Sequence, residues 1–538
     1  MRRPHTRPQN RHHEHNNNRS DDVVMDPIHK HLHPRPGKSK PAQPVASFIL
    51  VASVAAVLAL ASLFYIYTFS GSRKLLYGLV VDGGSTGTRI HVISYRDGEI
   101  VEEGAFRVNP GLSSYAGDPA GAGESLRELL EFARRKVPEA VWGETEVRLM
   151  ATAGMRLLDP ADQGRVMEEC RRVLRGSGFK FKDEWASVIP GSDEGLYAWV
   201  VANYALGTLG ADPSQTTGII ELGGASAQVT FVTSEPVPSE FARTVMFRNV
   251  TYSIYSHSFL HFGQNVAYEA VRESLLSGEY RSATNMLEKR IIKDPCTPKG
   301  YSVPSESWKL SPGSLSEESG YVTTLHPKGN FSDCRSAAFM LLQKGKENCS
   351  YQRCEIGSSF MPKLEGKFLA TENFFYTSKF FGLGRRALLS DLIVAGQEFC
   401  GQEWSRLKRK HKLSSLHDED LMHYCFSSAY IIALLHDSLG FSLNDGRIEY
   451  ANKVGNIPLD WALGAFILHN TANFDAQRAD RMTSIISDDS PTLFSLIAIA
   501  LLLIFVVWSI LKWRKPHLKT IYDLEKGRYI VTRISRSS

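Results

Sequence analysis

Hydrophobic positions along this chain fall into two kinds of pattern. Val45–Phe69 and Leu493–Ile510 are apolar runs without a single Asp, Glu, Lys or Arg. A bilayer core takes about 20 such residues as a helix, so membrane spans are expected over 45–69 and 493–511. The first run is too long for a signal peptide and follows a polar arm of 44 residues, so it is expected to remain as an uncleaved anchor. Between the runs the pattern is periodic. Leu75–Asp82 reads as a buried strand, and Arg89–Tyr95 alternates as a second, with Ile90, Val92 and Ser94 on one face. Gly123–Val137 reads as a helix, Val147–Ala151 as a strand, and Asp159–Leu174 as a helix with Pro160 near its start. Val188–Gly195 reads as a strand running into a turn, Leu196–Leu206 as a helix, and Thr217–Ile220 as another buried strand. Pro295–Gly357 lacks a period and is rich in Ser, Pro, Gly and Cys, so an irregular, disulfide-tied insertion is expected there. Asp420–Leu435 is helical in pattern, and Ile457–Leu468 leads back toward the second apolar run.

Two loops in this periodic region say nearly the same thing. One reads Asp82-Gly83-Gly84-Ser85-Thr86-Gly87-Thr88, the other Glu221-Leu222-Gly223-Gly224-Ala225-Ser226-Ala227, and each follows a buried-strand pattern. Glycines lack a Cβ, so backbone N–H groups can approach an anion closely and form a cradle for it. An acidic residue beside such a cradle repels a bare phosphate unless a divalent cation lies between them. Strands alternating with helices, with the loop repeated, imply an α/β fold of two lobes around a cleft. The expected boundaries are 75–214 for the first lobe, 215–460 for the second with its insertion, and 461–487 for a return to the first.

Other readings of these residues stay open. Gly83-Gly84-Ser85-Thr86-Gly87 fits G-x-S-x-G, the elbow that presents a nucleophilic serine, here Ser85. That elbow needs a helix directly after the serine, and a β pattern follows instead. A plain Gly-Gly hairpin turn is the simpler reading of one loop; the second copy argues against it. No G-x-x-x-x-G-K-[ST] or G-x-G-x-x-G is present, so charge on a bound phosphate would be met by metal and backbone N–H groups. Glu194 is a carboxylate at a strand-to-helix turn: either a catalytic group or a favourable partner for the helix dipole.

Charge and cysteine placement add a topology. Residues 1–44 carry nine Lys/Arg against four Asp/Glu, and the tail after Ile510 eight against two. Both tails are therefore expected in the cytosol. The arm, with seven His before Pro34, is expected to be disordered. Against a whole-chain charge of +5, residues 45–510 carry −6. That region is expected to face the lumen or exterior, and its acidity disfavours nucleic acid as a partner. All seven cysteines lie there. Cys349 with Cys354, Cys400 with Cys425, and Cys296 with Cys334 are the expected disulfides, leaving Cys170 free; no C-x-x-C supports a zinc site. The sequons at Asn249, Asn330 and Asn348 are expected to carry glycans.

Five segments in order resemble the motifs of the apyrase, or ecto-nucleoside triphosphate diphosphohydrolase, family. They are Val81–Arg89, Ala151–Arg156, Gly191–Trp199, Glu221–Gln228 and Trp461–Ala465. The resemblance implies a two-lobed fold like actin, Hsp70 and sugar kinases (ribonuclease H-like). It implies that Glu194 is the general base, that Ser226 and Gln228 hold the attacking water, and that Thr152 is a hydroxyl on the phosphate side. Asp82 and Glu221 would hold Ca²⁺ or Mg²⁺ through water. Gly83, Gly84, Ser85, Thr86, Gly87, Thr88 and Arg89 would cradle phosphate from one side, and Gly223, Gly224 and Ala225 from the other. Tyr376, in Asn373–Tyr376, falls where the family supplies an aromatic for base stacking; core packing is the other reading of that run. The two-span topology resembles that of membrane-bound members, with plant apyrases as a subgroup. The implied activity is cation-dependent hydrolysis of the terminal phosphate of nucleoside tri- or diphosphates, in the Golgi lumen or outside the plasma membrane. A catalytically weak nucleotide-binding receptor or scaffold of the same fold is the alternative.

One departure keeps that alternative open. The family usually has Asp where this chain has Glu221. The added methylene moves the carboxylate out by about one C–C bond length, which is large beside the tolerance of a metal site. Mg²⁺ demands near-ideal octahedral geometry whereas Ca²⁺ is adaptable. Glu221→Asp is therefore expected to raise Mg²⁺-supported turnover, read as phosphate release with each cation in turn; unchanged rates with both metals would reject this.

Overall fold

Two mixed β-sheets repeat one topology. They come from a computed structural model that describes residues 75–96, 99–277, 291–302, 324–412 and 416–470, with short stretches at 56–57, 503–506, 508–509, 518–525 and 527–533. The first sheet holds β1 (Leu76–Gly83), β2 (Thr88–Arg96), β3 (Glu99–Val108), β4 (Glu146–Ala151) and β5 (Ala186–Val188), in the order β3-β2-β1-β4-β5. The second holds β6 (Gly218–Leu222), β7 (Ser226–Val232), β8 (Ala242–Phe247), β9 (Val250–Leu260), β10 (Phe368–Glu372) and β11 (Ile448–Tyr450), in the order β11-β10-β6-β7-β9-β8. In each, a central strand forms a hairpin with the next strand and pairs in parallel on its other edge, β1 with β4 and β6 with β10. The duplication read from the loops is thus present in the register. Gly83 pairs with Thr88 and Leu222 with Ala227, so each loop is the tip of a hairpin.

The central strands are near-continuous apolar runs because both faces are covered, as parallel strands require. All five residues of β6 are buried. The two faces expected of β2 are both buried for the same reason, and His91 is only 1% exposed. On one side of the first sheet pack α1 (Pro119–Lys136) and α2 (Pro160–Arg175). Asp118 and Asp159 cap them by accepting from the N–H groups of Gly121 and Ala161, and Pro occupies the first turn of each.

The helix α3 (Gly191–Ala205) is apolar around most of its circumference, the signature of a helix with no solvent face. Trp199 and Val200 share one core with Val80 and Ile93 of the first sheet and Ile219, Ile254 and Leu369 of the second. A helix over 461–470 completes that core through Leu463, Ala465 and Phe466. One apolar layer therefore joins the two sheets.

Two elements differ from expectation. α3 starts at Gly191, not Leu196, so Glu194 stands in its first turn. Gly191 and Gly195 looked like turn residues, but they serve close packing: a Cβ on Gly195 would lie 2.5 Å from Thr230 Oγ1. The irregular insertion contains a regular helix, α4 (Phe331–Gln343), whose N-cap Asn330 accepts from the Asp333 N–H at 3.0 Å. The three expected disulfides are present, and Cys170 is free and buried in α2. The C-terminal tail holds an antiparallel hairpin, Leu518–Asp523 with Arg528–Arg533, that no pattern had indicated. The expected spans and the N-terminal arm lie almost wholly outside the described residues; among those described, no helix is long and apolar enough to cross a membrane.

The helix over 461–470 is held by backbone contact. A Cβ on Gly464 would lie 1.8 Å from the Tyr197 carbonyl oxygen in α3. Gly464→Ala must therefore push the helix out of the shared core, at a cost of about 3 kcal/mol. A lower denaturant midpoint is expected; an unchanged one would mean that the contact is not binding.

Candidate active site

The chemistry gathers where the parallel strands end, the position in an open α/β sheet where ligands bind. Asp82 stands at the end of β1 and Glu221 near the end of β6. Thr152 follows β4 and donates its N–H to the Gly83 carbonyl at 3.1 Å. Ser226 and Gln228 lie on β7, and Glu194 enters from α3. The two hairpin tips face each other closely: a Cβ on Gly224 would lie 2.8 Å from Ser85 Oγ and 3.0 Å from Thr86 Cγ2. None of Gly83, Gly84, Gly87, Gly223 and Gly224 has a left-handed φ, so what matters at the tips is the missing side chain.

One cleft gathers most of the expected residues: Asp82, Gly84, Ser85, Thr86, Gly87, Arg89, Thr152, Glu194, Glu221, Gly223, Gly224, Ala225, Ser226 and Gln228. Three do not form its wall. Gly83 is paired within the β1 ladder, and Thr88 is fully buried in β2. Tyr376 stands beside the cleft, 46% exposed and hydrogen-bonded to Asn452. The aromatic run therefore divides: Phe374 is fully buried core, and Tyr376 is exposed with its ring edge-on to Phe375, 5.7 Å between centroids. The cleft also contains Arg107, Glu372 and Asp460, which sequence reasoning missed. Glu372 carried a usable signal, since it closes an apolar strand as Asp82 and Glu221 do.

Glu194 is 9% exposed and pairs with Arg156 at 2.7 Å. Burial raises its carboxyl above the usual range, and the Arg156 charge and a Gln228 hydrogen bond pull the other way. Gln228 Nε2 donates to Ser226 Oγ at 2.7 Å and Ser258 Oγ at 3.2 Å, which fixes the amide beside Glu194. Proton acceptor and polar anchors for a water thus lie side by side.

The remaining carboxylates are under-neutralised. Burial, then Asp460, raises Asp82. Burial, then Glu194 and Glu372, raises Glu221 far above the usual range. Asp460 is the exception: burial pushes it up, but His91 and Arg89, the latter at 2.9 Å, outweigh that and hold it low. Asp82 Oδ1 and Glu221 Oε2 are buried and accept no hydrogen bond. An unpaired buried carboxylate oxygen is costly, and a divalent cation between the two loops would satisfy both. Among the described residues no three His, Cys, Asp or Glu side chains converge closely enough to ligate a metal directly. Asp82 and Glu221 are therefore the residues that would hold a cation here.

Residues 70–481 match the GDA1/CD39 (nucleoside phosphatase) family. The chain belongs to that family. It is 57% identical over 502 residues to probable apyrase 6 of Arabidopsis thaliana, covering 90% of each chain. It is 31% identical over 425 residues to ectonucleoside triphosphate diphosphohydrolase 8 of Bos taurus, covering 72% of this chain and 81% of that one. A crystal structure of nucleoside triphosphate hydrolases from Neospora caninum shares the fold, with a TM-score of 0.58 at 18% identity, covering 82% of this chain and 99% of that one.

In this GDA1/CD39 protein Arg156 sets how acidic Glu194 is. Removing its charge leaves burial opposed only by the Gln228 hydrogen bond, so the Glu194 carboxyl rises and stays protonated to higher pH. Arg156→Gln is expected to move the acidic limb of the pH–rate profile upward by about one pH unit; a limb that stays in place would show that Glu194 is not the titrating group.

Proposed function

We propose that this chain is a divalent-cation-dependent apyrase that hydrolyses the terminal phosphate of nucleoside tri- and diphosphates. The observation that carries the reading is the pair of opposed glycine hairpins, each bearing a carboxylate with an unpartnered buried oxygen. The printed names of the relatives, apyrase and ectonucleoside triphosphate diphosphohydrolase, support the substrate class.

The residues divide the work. Backbone N–H groups of the two hairpins, with Ser85 and Thr86, receive the phosphate chain from both sides, and Thr152 adds a hydroxyl. Ser226 and Gln228 hold a water beside Glu194, and Glu194 takes its proton as the water oxygen bonds to the terminal phosphorus. The bond from that phosphorus to the bridging oxygen breaks, and inorganic phosphate and the shortened nucleotide leave. No covalent enzyme intermediate is needed, so catalysis rests on positioning and electrostatics. When bound, Ca²⁺ or Mg²⁺ near Asp82 and Glu221 supplies positive charge against the phosphate oxygens. Tyr376 offers its exposed ring to a nucleobase, a platform that tolerates many bases.

Ser85 is not a hydrolase nucleophile in this reading, because strand β2 follows it where an elbow requires a helix. The longer arm of Glu221 favours one further reading, a weakly catalytic nucleotide receptor. We also propose that 45–69 and 493–511 span a membrane with both basic tails cytosolic and the ectodomain lumenal or extracellular. Three disulfides suit an oxidising compartment, and the sequon residues Asn249, Asn330 and Asn348 are exposed as glycan sites must be.

Glu194→Gln is isosteric and is expected to lower phosphate release by about 10³-fold or more while leaving the thermal unfolding midpoint near that of the wild type. Retained turnover with folding intact would remove Glu194 from the role of base. Absence of phosphate release by the wild type with both cations would favour the receptor.

A further inference from the structure

A second cavity lies beside the cleft and is the larger of the two, about 460 Å³ against about 110 Å³. Size does not make it the catalytic site, because no carboxylate lines it. Phe375, half-buried, lines its apolar side; Tyr450 backs the wall but is only 4% exposed. Three cationic side chains border it, Lys379, Arg385 and Lys453, and all three are exposed. Arg385 shares Glu449 with Arg386. Lys379 Nζ stands 5.9 Å from the centre of the Phe375 ring, within reach for a cation over an aromatic face. This positive rim belongs to an ectodomain that is acidic overall.

A concave site of this volume, apolar with a few convergent polar groups, has the build of a small-molecule site. The Phe375 ring can stack against a planar ring, and the cations can donate charge-assisted hydrogen bonds to an anionic group. We propose that this cavity is a second binding site, separate from the catalytic cleft, for a planar aromatic anion of the nucleoside phosphate kind.

The cavity is wired to the cleft through one residue. Asn452 lines the cavity, its Oδ1 accepts from the Glu372 N–H at 2.7 Å, and its side chain bonds Tyr376. Glu372 lines the cleft and holds φ 57, ψ −121, a conformation that non-glycine residues rarely adopt and that the Asn452 bond supports. The Asn452 carbonyl accepts from the Leu459 N–H at 2.9 Å, next to Asp460. A ligand that shifts Asn452 acts on both carboxylates at once.

The inference goes beyond the proposed activity and is tested without hydrolysis. Full-length protein in detergent is saturated with the β,γ-imido analogue of ATP to fill the cleft, and AMP binding is measured by equilibrium dialysis. One AMP per chain is expected to bind despite the analogue. In the Lys379→Glu/Lys453→Glu variant its affinity is expected to fall at least about tenfold, the scale of one or more lost charge-assisted hydrogen bonds. That variant, free of AMP, is expected to hydrolyse ATP at the wild-type rate, since neither lysine borders the cleft. Lys453→Ala alone is expected to weaken AMP binding by a smaller factor, which guards against disturbance by charge reversal. No AMP bound in the presence of the analogue, or equal affinity in all three proteins, would overturn the proposal. Because dialysis reads binding alone, a failure here is distinct from a failure of phosphate release.

Discussion

Carboxylates brought together without enough positive charge are the constraint on which the structure turns. Asp82, Glu194, Glu221, Glu372 and Asp460 all line one cleft; among the described residues Arg156 pairs with Glu194, and Arg89 and His91 with Asp460. A protein does not collect such repulsion for stability, since each desolvated negative charge opposes folding. The arrangement becomes reasonable when the missing charge arrives with a cation, and when one carboxyl must be basic enough to accept a proton. The rest of the fold serves this cluster. Two sheets of matching topology bring strand ends to one place, and the hairpin tips close on each other because neither Gly224 nor its opposite neighbours leave room for more.

The pairing of Arg156 with Glu194 gives the cluster its internal order. Asp82, Glu221 and Glu372 are raised chiefly by burial and their neighbours, but Glu194 is moderated by a cation and an amide, and Asp460 by Arg89 and His91. Environment thus sorts chemically similar groups into different roles. Glu372 stands apart, held in an unusual backbone conformation by Asn452, whose other contacts reach the neighbouring cavity.

Much of the site was legible from residues alone because it sits in local patterns: an acidic residue closing an apolar strand, then glycines. The hairpin at Ser85 and the three disulfides were legible for similar reasons, alternation in one case and spacing in the other. What was not legible depends on contacts distant in sequence. Gly191 and Gly195 read as a turn because their partners, Ser258 on β9 and Thr230 on β7, are distant in sequence. The helix Phe331–Gln343 was hidden inside a stretch whose composition signalled irregularity, and Glu372 lacked the glycines that flagged its counterparts. Thr88 shows the opposite error: it belongs to the motif by position but points into the core.

The shared core has a consequence for how the chain matures. The first sheet is built from one contiguous stretch whose sole cysteine is buried and unpaired, so no oxidation step stands in its way. The second carries all three disulfides in its half of the chain. Last comes the helix over 461–470, which fills the layer between the two and brings Asp460 and Trp461 to the cleft. A nascent chain therefore has both glycine hairpins long before it has an assembled cleft. The cleft is complete only when this last helix is in place, so a partly made chain carries the parts of the site without their arrangement.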